Sequence, residues 1–150
     1  MSDNNKTVEN MEWEAGHYTG EVSGGVPHGQ GTMAYPEEGP DNESGRGTYE
    51  GAWKEGKQNG QGTLFYPDGT ISYVGQWKDG VFDGSGKWTD DFDIHEGIFK
   101  EDRFWEGNEY NADNGNLEAT YKDGVYHQVE TTSKLRAMTE DDGSKFEGIY

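Results

Sequence analysis

A chain of 150 residues with a net charge of −18 and 29% hydrophobic residues is long enough for one domain, but too polar for an ordinary two-layer core. Its 30 acidic against 12 basic residues argue against nucleic acid as a partner and disfavour an anionic membrane, because like charges repel. The chain has no cysteine, residues 1–10 have no apolar core, and no apolar run approaches the ~20 residues of a membrane span. We therefore expect a cytoplasmic protein without disulfides.

Low hydrophobicity combined with high net charge is also typical of disordered chains. Two features count against disorder here. Aromatic residues make up 13% of the chain, and they recur at fixed spacing. The composition therefore directs attention to an internal repeat.

One pattern occurs three times in residues 18–90. An aromatic residue is followed by glycine two positions later, and the distance from the aromatic residue to a later glycine is 11 residues in each copy (18 to 29, 49 to 60, 73 to 84). Such a common register is hard to obtain by chance. The residues that define it are Tyr18, Gly20, Gly29, Gly31, Tyr49, Gly51, Trp53, Gly56, Gly60, Gly62, Tyr73, Gly75, Trp77, Gly80, Gly84 and Gly86.

Two degenerate copies follow, opening at His95 and Leu117, and Phe146–Tyr150 matches the start of another. The sequence thus predicts a repeat array over residues 13–128, with copies starting near 18, 49, 73, 95 and 117. A polar interruption at 129–145, in which 133–138 is predicted as a short helix, separates the array from a partial repeat strand at 146–150. The polar residues 1–12 are predicted to be a disordered tail.

The pattern YxGxWxxGxxxGxG resembles the MORN (membrane occupation and recognition nexus) repeat, strongly in residues 18–90 and weakly in 95–128. This resemblance implies an array of β-hairpins and a binding role without catalysis. It also implies two alternatives: a phospholipid-associated adaptor, or a regulatory module that acts on an enzyme in another chain.

The residues themselves favour the same fold. Tyr49, Gly51 and Trp53 alternate, so they share one face of a strand, and glycines in EGKQNG suit a hairpin turn. Glycine weakens a strand unless it has a purpose there, and we expect Tyr and Trp rings to lie flat over positions such as Gly60 and Gly62. The predicted fold is all-β: an elongated, single-layer, twisted antiparallel meander of roughly ten strands. Turns are expected near 55–59, 67–69 and 79–83.

No arrangement of residues indicates catalysis, a cofactor or a metal. His28 and His127 fall at the predicted turn position of Asn59 and Asp83, and His95 stands where Tyr73 stands, so the repeat spreads the histidines along the array. The acids at 90, 91 and 93, and at 41 and 43, lack the ligand order of an EF-hand loop and are interpreted as solvated loop acids.

A scaffold for protein–protein interaction is the leading functional hypothesis. The acidity is interpreted mainly as a source of solubility, and attraction of a basic partner is the alternative. The motif aromatics are interpreted mainly as residues that hold the sheet together. Aromatic residues that the motif does not require are better candidates for partner contacts: Phe82, Phe92, Phe104 and Trp105. Because the ends of a meander are open, we also expect a homodimer formed strand to strand.

Overall fold

The protein is described from a computed structural model, in which residues 6–36 and 46–129 are placed. Within these two ranges the chain forms eleven β-strands, and no helix there is suited to crossing a membrane. The strands are β1 (Lys6–Trp13), β2 (Gly16–Ser23), β3 (Val26–Ala34), β4 (Thr48–Lys54), β5 (Lys57–Phe65), β6 (Ile71–Lys78), β7 (Val81–Thr89), β8 (Asp93–Lys100), β9 (Arg103–Asn111), β10 (Leu117–Lys122) and β11 (Val125–Gln128).

The strands form one sheet in which each strand pairs antiparallel with the next along the chain. This arrangement confirms the predicted all-β meander. The five repeats correspond to the hairpins β2–β3, β4–β5, β6–β7, β8–β9 and β10–β11. The predictions for residues 129–145 and 146–150, including the short helix at 133–138, fall outside the described residues apart from Val129, as does the acidic pair at 41 and 43.

The first strand corrects the prediction of a disordered tail over residues 1–12. Residues 6–12 belong to β1, which pairs with β2 through Val8↔Gly20 and Met11↔Tyr18. The register shifts between these two pairs, at a position where Asn10 takes φ 56°. This irregularity interrupts the alternation of apolar residues that would otherwise indicate a strand.

The hairpin turns within repeats are shorter than the sequence predicts. Glu55 and Gly56 have φ of 51° and 87°, and Asp79 and Gly80 have 50° and 89°, as in two-residue type I′ turns. The expected turns at 55–59 and 79–83 therefore shrink to 55–56 and 79–80. The remaining residues of both ranges, together with His28 and His127, lie in strands. The turn at 67–69 is present, closed by a hydrogen bond from Gly69 N to the Tyr66 carbonyl.

Each of the first three repeats contains a bulge. In β4–β5, Gly51 pairs with Gly62 but Trp53 pairs with Gln58, so residues 59–61 face Ala52 alone. The extra residues require a positive φ, which Gly60 supplies at 107°. A Cβ on Gly60 would face the Cβ of Ala52 at 3.1 Å, so the expectation that a ring covers this type of glycine is wrong.

The bulges bend the sheet across its strands. Tyr35 bonds to Gly47, and Gln58 pairs with Trp53. Gly47 and Trp53 are six residues apart along their strand, which on a flat strand would separate them by about 20 Å. Nevertheless, Gln58 Nε2 donates to Tyr35 Oη at 2.7 Å. The bend brings the two ends of neighbouring strands together and encloses a core within a single sheet.

The ring expectation is confirmed at the second glycine of each pair. A Cβ on Gly62 would overlap the ring of Tyr49, and the same holds for Gly31 beneath Tyr18 and Gly86 beneath Tyr73. Each hydroxyl then donates to the carbonyl three residues further along its own strand, at Glu21, Ala52 and Gln76, over 2.6–2.8 Å.

Tryptophans join one repeat to the next. The Trp53 ring packs edge-to-face on Tyr18 and Tyr49, with centroids 5.1 and 5.3 Å away, and its Nε1 donates to the Gly31 carbonyl at 3.2 Å. Trp77 repeats these contacts one hairpin later. Burial raises the pKa of Tyr18 to about 12, so this ring stays neutral and keeps its hydrogen bond well into the alkaline range.

We predict that Gly62→Val destabilises the protein by about 3 kcal/mol or more, because the new side chain must displace the Tyr49 ring from a close-packed position. Thr63→Val, which places the same side chain one position along on the half-buried opposite face, should stay within about 1 kcal/mol of wild type. The free energy of unfolding in urea measures both. Equal effects of the two substitutions would show that the ring–glycine contact is not what the fold depends on.

Candidate interaction surfaces

The motif aromatics lie in the core. Tyr18, Tyr49 and Tyr73 have no solvent exposure, and Trp53 and Trp77 are almost completely buried. Their contacts with glycines and with one another account for their presence. These residues therefore offer no surface to a partner.

Two of the four off-motif aromatics also lie against the core, contrary to the reasoning that placed them at a contact surface. Phe82 stacks on Tyr73 with ring centroids 3.8 Å apart and an interplanar angle of 5°. Phe104 packs against Phe99 and Tyr121 at 5.1 and 5.0 Å. Phe82 pairs with Trp77, so it takes the position that Gln58 takes opposite Trp53 in the preceding repeat. Both phenylalanine rings therefore pack against the core.

The other two aromatics remain accessible. Trp105 is half-buried beside Gly124, and the Lys100 ammonium lies 4.5 Å from its ring centroid, a cation–π contact. Phe92 is 75% exposed, more than any other large hydrophobic residue among those described. It lies in the connection between β7 and β8, and its contact role stays a prediction.

An apolar cleft lies between two connections that join successive repeats, and Phe92 directly follows Asp91, one of its lining residues. We call it the connection cleft. It encloses about 560 Å³ and is lined by Tyr66, Pro67, Asp68, Thr70, Ile71, Thr89, Asp90 and Asp91. The Tyr66 hydroxyl donates to the Thr89 carbonyl and holds its two walls together.

Ile71 is 46% exposed in this cleft, although it alternates with Tyr73 and should share the buried face. The reason is an irregularity in the β5–β6 ladder: Leu64 pairs with Tyr73, but Phe65 pairs with Ile71. The shift buries Ser72 and turns Ile71 outward. Sequence reasoning missed Ile71 because alternation gives no sign of the shift.

The rim of the connection cleft is acidic. Asp68 Oδ1 accepts hydrogen bonds from Thr70 N and Oγ1 at 2.9 and 2.7 Å, and these bonds hold the pKa of Asp68 below its usual value. Asp90 Oδ1 accepts from the backbone N–H groups of Phe92 and Asp93. Asp91 is exposed, and no Lys or Arg of the described residues lines the cleft. An apolar floor with a negative rim can bind an apolar side chain that has a cation beside it.

A second groove, of about 340 Å³, runs beside Trp13, Tyr35 and Trp53. Its polar groups bond to one another: Trp13 Nε1 donates to the Gly56 carbonyl at 3.1 Å, and Gln58 donates to Tyr35. These bonds join the hairpin tip of one repeat to the strands of its neighbours. The groove is therefore part of the bend in the sheet.

The last described strand presents a free edge. In the described part of the chain, β11 pairs with β10 alone, and all four of its residues are exposed. Val125 and Tyr126 are 55% and 50% exposed. Unpaired backbone groups beside apolar side chains can accept another strand.

A group of titratable residues joins β8, β9 and β10. Carboxylate oxygens of Asp93, Glu109 and Glu118 lie within 4.8 Å of one another. Glu109 Oε1 is 3.0 Å from His95 Nε2, and Glu118 accepts from Asn111 at 2.9 Å. We call Asp93, His95, Glu109 and Glu118 the carboxylate cluster.

The cluster corrects the interpretation of Asp93 as a solvated loop acid. Asp93 is half-buried in β8, whereas Asp90 caps the turn and Asp91 is exposed. Burial and the neighbouring Glu118 raise the pKa of Asp93 to about 6. Sequence reasoning missed the cluster because a register shift in β10, between Leu117 and Ala119, accompanies the approach of Glu118. Since His95 and Asn111 already engage Glu109 and Glu118, we assign no metal ligands here.

The fold and its surfaces define a class of protein: an open array of β-hairpin repeats with aromatic–glycine packing. Residues 18–38, 49–71 and 73–91 match the sequence model of the MORN repeat, which supports a protein of the MORN repeat family. The copies at 95 and 117 fall outside these matches but continue the same sheet as β8–β11. MORN repeats are in general non-catalytic modules that bind proteins or membranes. A comparison with curated proteins gives no match to the chain.

Proposed function

We propose that this MORN-repeat protein is a non-catalytic scaffold that binds a protein partner at the connection cleft. The observation that carries the proposal is the combination of exposed apolar side chains, Ile71 and Phe92, with an acidic rim that no described Lys or Arg lines. Exposed apolar residues ringed by polar groups are typical of protein-contact surfaces. The motif aromatics of the first three repeats, Tyr18, Tyr49, Trp53, Tyr73 and Trp77, are used by the core.

The chemistry of the cleft selects the partner. Its apolar floor accepts a Leu, Met or Phe side chain, and the carboxylates of Asp68, Asp90 and Asp91 favour Lys or Arg beside it. The net charge of −18 attracts such a segment over a longer range and opposes acidic competitors. We therefore infer a basic, extended segment with one apolar anchor.

The same surface serves the regulatory alternative, in which the chain controls an enzyme supplied by another chain. We assign no catalytic residue and no cofactor to this protein. Asp68 and Asp90 are engaged in capping their turns, and the cleft is an open surface without the enclosed, water-poor setting that acid–base chemistry needs.

We predict that a fluorescent peptide with one Leu flanked by Lys and Arg binds the full chain, as measured by anisotropy. The Ile71→Ser/Phe92→Ser double variant should weaken binding about tenfold, a loss of about 1.4 kcal/mol. Ile98→Ser is the matched control, because Ile98 is 40% exposed and lies outside the cleft.

Two further peptides define the recognition. One replaces Leu with Ser, and the other replaces the basic residues with Glu; both should bind weakly. Equal binding of the acidic peptide would contradict the role of the rim. An equal loss of affinity in Ile98→Ser would contradict the location.

For membranes, we predict no measurable co-sedimentation with vesicles rich in phosphatidylserine at ~0.15 M salt, where the Debye length is ~8 Å and only local basic clusters matter. Exposed bases do gather at hairpin tips, as in the pairs Lys54/Lys57 and Lys100/Arg103, but the turn acids Glu55, Glu101 and Asp102 lie between them. Neutral phosphatidylcholine vesicles are the control. Binding that requires anionic lipid and weakens with salt would favour the phospholipid adaptor instead.

The β11 edge supports a second partner, another copy of this chain. Pairing two such edges would satisfy their backbone groups and cover Val125.

We predict a dimer by light scattering on the full chain and a monomer for Val125→Lys/Gln128→Lys, since four lysines would then meet at the interface. A monomeric wild type excludes the dimer, and a dimer in the variant places the contact elsewhere.

A further inference from the structure

Three carboxylates meet on adjacent strands without a matching number of positive charges. Asp93 comes from β8, Glu109 from β9 and Glu118 from β10, and Glu109 is nine-tenths buried. In the described part of the chain, His95 is the one His, Lys or Arg side chain within ion-pair distance of these carboxylates, with Nε2 3.0 Å from Glu109 Oε1. Three ionised carboxylates this close repel one another strongly.

His95 supplies a hydrogen bond without supplying a well-paired charge. Because Nε2 faces a carboxylate, it carries the ring hydrogen and donates to Glu109. Nδ1 is buried without a hydrogen-bond partner, and the ring lies among Trp88, Phe104 and Tyr121. A second N–H at Nδ1 would have no hydrogen-bond partner among the described residues.

The other described groups around the cluster carry no positive charge. The β7–β8 connection contributes Asp90, a further carboxylate, and β10 contributes the Tyr121 hydroxyl, whose pKa is raised by burial and by Glu109. From β7 and β9, the rings of Trp88 and Phe104 are uncharged. Asn111 donates its amide to Glu118 and is neutral.

We propose that Asp93 and Glu118 share one proton and that this proton operates a latch between the fourth and fifth repeats. With the proton bound, one carboxyl group donates to the other carboxylate, and β8, β9 and β10 are held together. When the proton leaves, two carboxylates face each other beside a third, and the hydrogen bond becomes repulsion. The latch therefore closes on acidification and opens as the pH rises towards neutral.

The raised pKa of Asp93, about 6, agrees with this arrangement, since burial is its first cause and Glu118 its second. In an unfolded chain an aspartate titrates near ~3.9. The folded protein thus binds a proton more tightly than the unfolded chain does. The resulting stabilisation is complete below about pH 4 and is lost as the pH rises through about 6.

The test compares the wild-type chain with Asp93→Asn, which is nearly isosteric and cannot ionise, in buffer containing EDTA so that metal ions do not contribute. Asp113→Asn is the matched control, since Asp113 is exposed in the neighbouring β9–β10 turn. Hydrogen-exchange protection factors are measured at pH 5 and 7.5 for amides of β8–β10 and, as an internal reference, of β4–β6.

We expect protection in β8–β10 of the wild type and of Asp113→Asn to fall by about threefold to tenfold between pH 5 and 7.5, while β4–β6 changes little. In Asp93→Asn this difference should disappear. Glu118→Gln provides a second variant, in which the carboxyl 13C titration midpoint of Asp93 should move to lower pH. The latch is wrong if wild type and Asp93→Asn show the same pH dependence, or if the Asp93 midpoint is unchanged in Glu118→Gln.

Discussion

A tyrosine ring lying on the bare backbone of the next strand is the contact on which the rest of this sheet depends. A single sheet has no second layer to bury its apolar face, so each buried ring must find its packing surface within the sheet itself. Glycine at 31, 62 and 86 provides that surface, because any Cβ there would occupy the space of the ring. The Trp rings then fill the gaps between tyrosines, and their indole N–H groups bond the carbonyls of Gly31 and Gly62.

The degenerate fourth repeat shows what happens when this contact is lost. Tyr49 pairs with Leu64 in the second repeat, and the equivalent pair in the fourth is His95 with Glu109. The bulge is also smaller in the fourth repeat. Ile98 pairs with Glu106 and Phe99 pairs with Phe104, so Trp105 is the one residue between these pairs without a partner on the opposite strand. A buried polar pair thus replaces an aromatic–aliphatic one. Polar groups in such a position need hydrogen-bond partners, and His95 bonds to Glu109 there at 3.0 Å.

The sequence predicted the sheet well and its surface poorly, for one physical reason. Alternation and glycine spacing report which residues face the core in a regular ladder, and the first three repeats follow that ladder closely. Three of the failures fall at a register shift: β1 at Asn10, Ile71 before Ser72, and Glu118 after Leu117. A shift of one residue exchanges the two faces of a strand, and no local propensity marks where it occurs. The outward position of Ile71 and the approach of Glu118 to Asp93 therefore required the fold.

The register shifts also explain which part of this protein can form a partner-binding surface. Residues inside the regular ladder are fixed by the ring–glycine contact, so a partner surface built there would compete with folding. The connections between repeats do not have to make the ring–glycine contact. They span residues 35–47, 66–70 and 90–92, so they differ in length and composition. Apolar side chains displaced from the ladder, such as Ile71, meet turn acids at this edge. An array of this kind can thus keep one packing rule along its length while each connection presents its own chemistry to a partner.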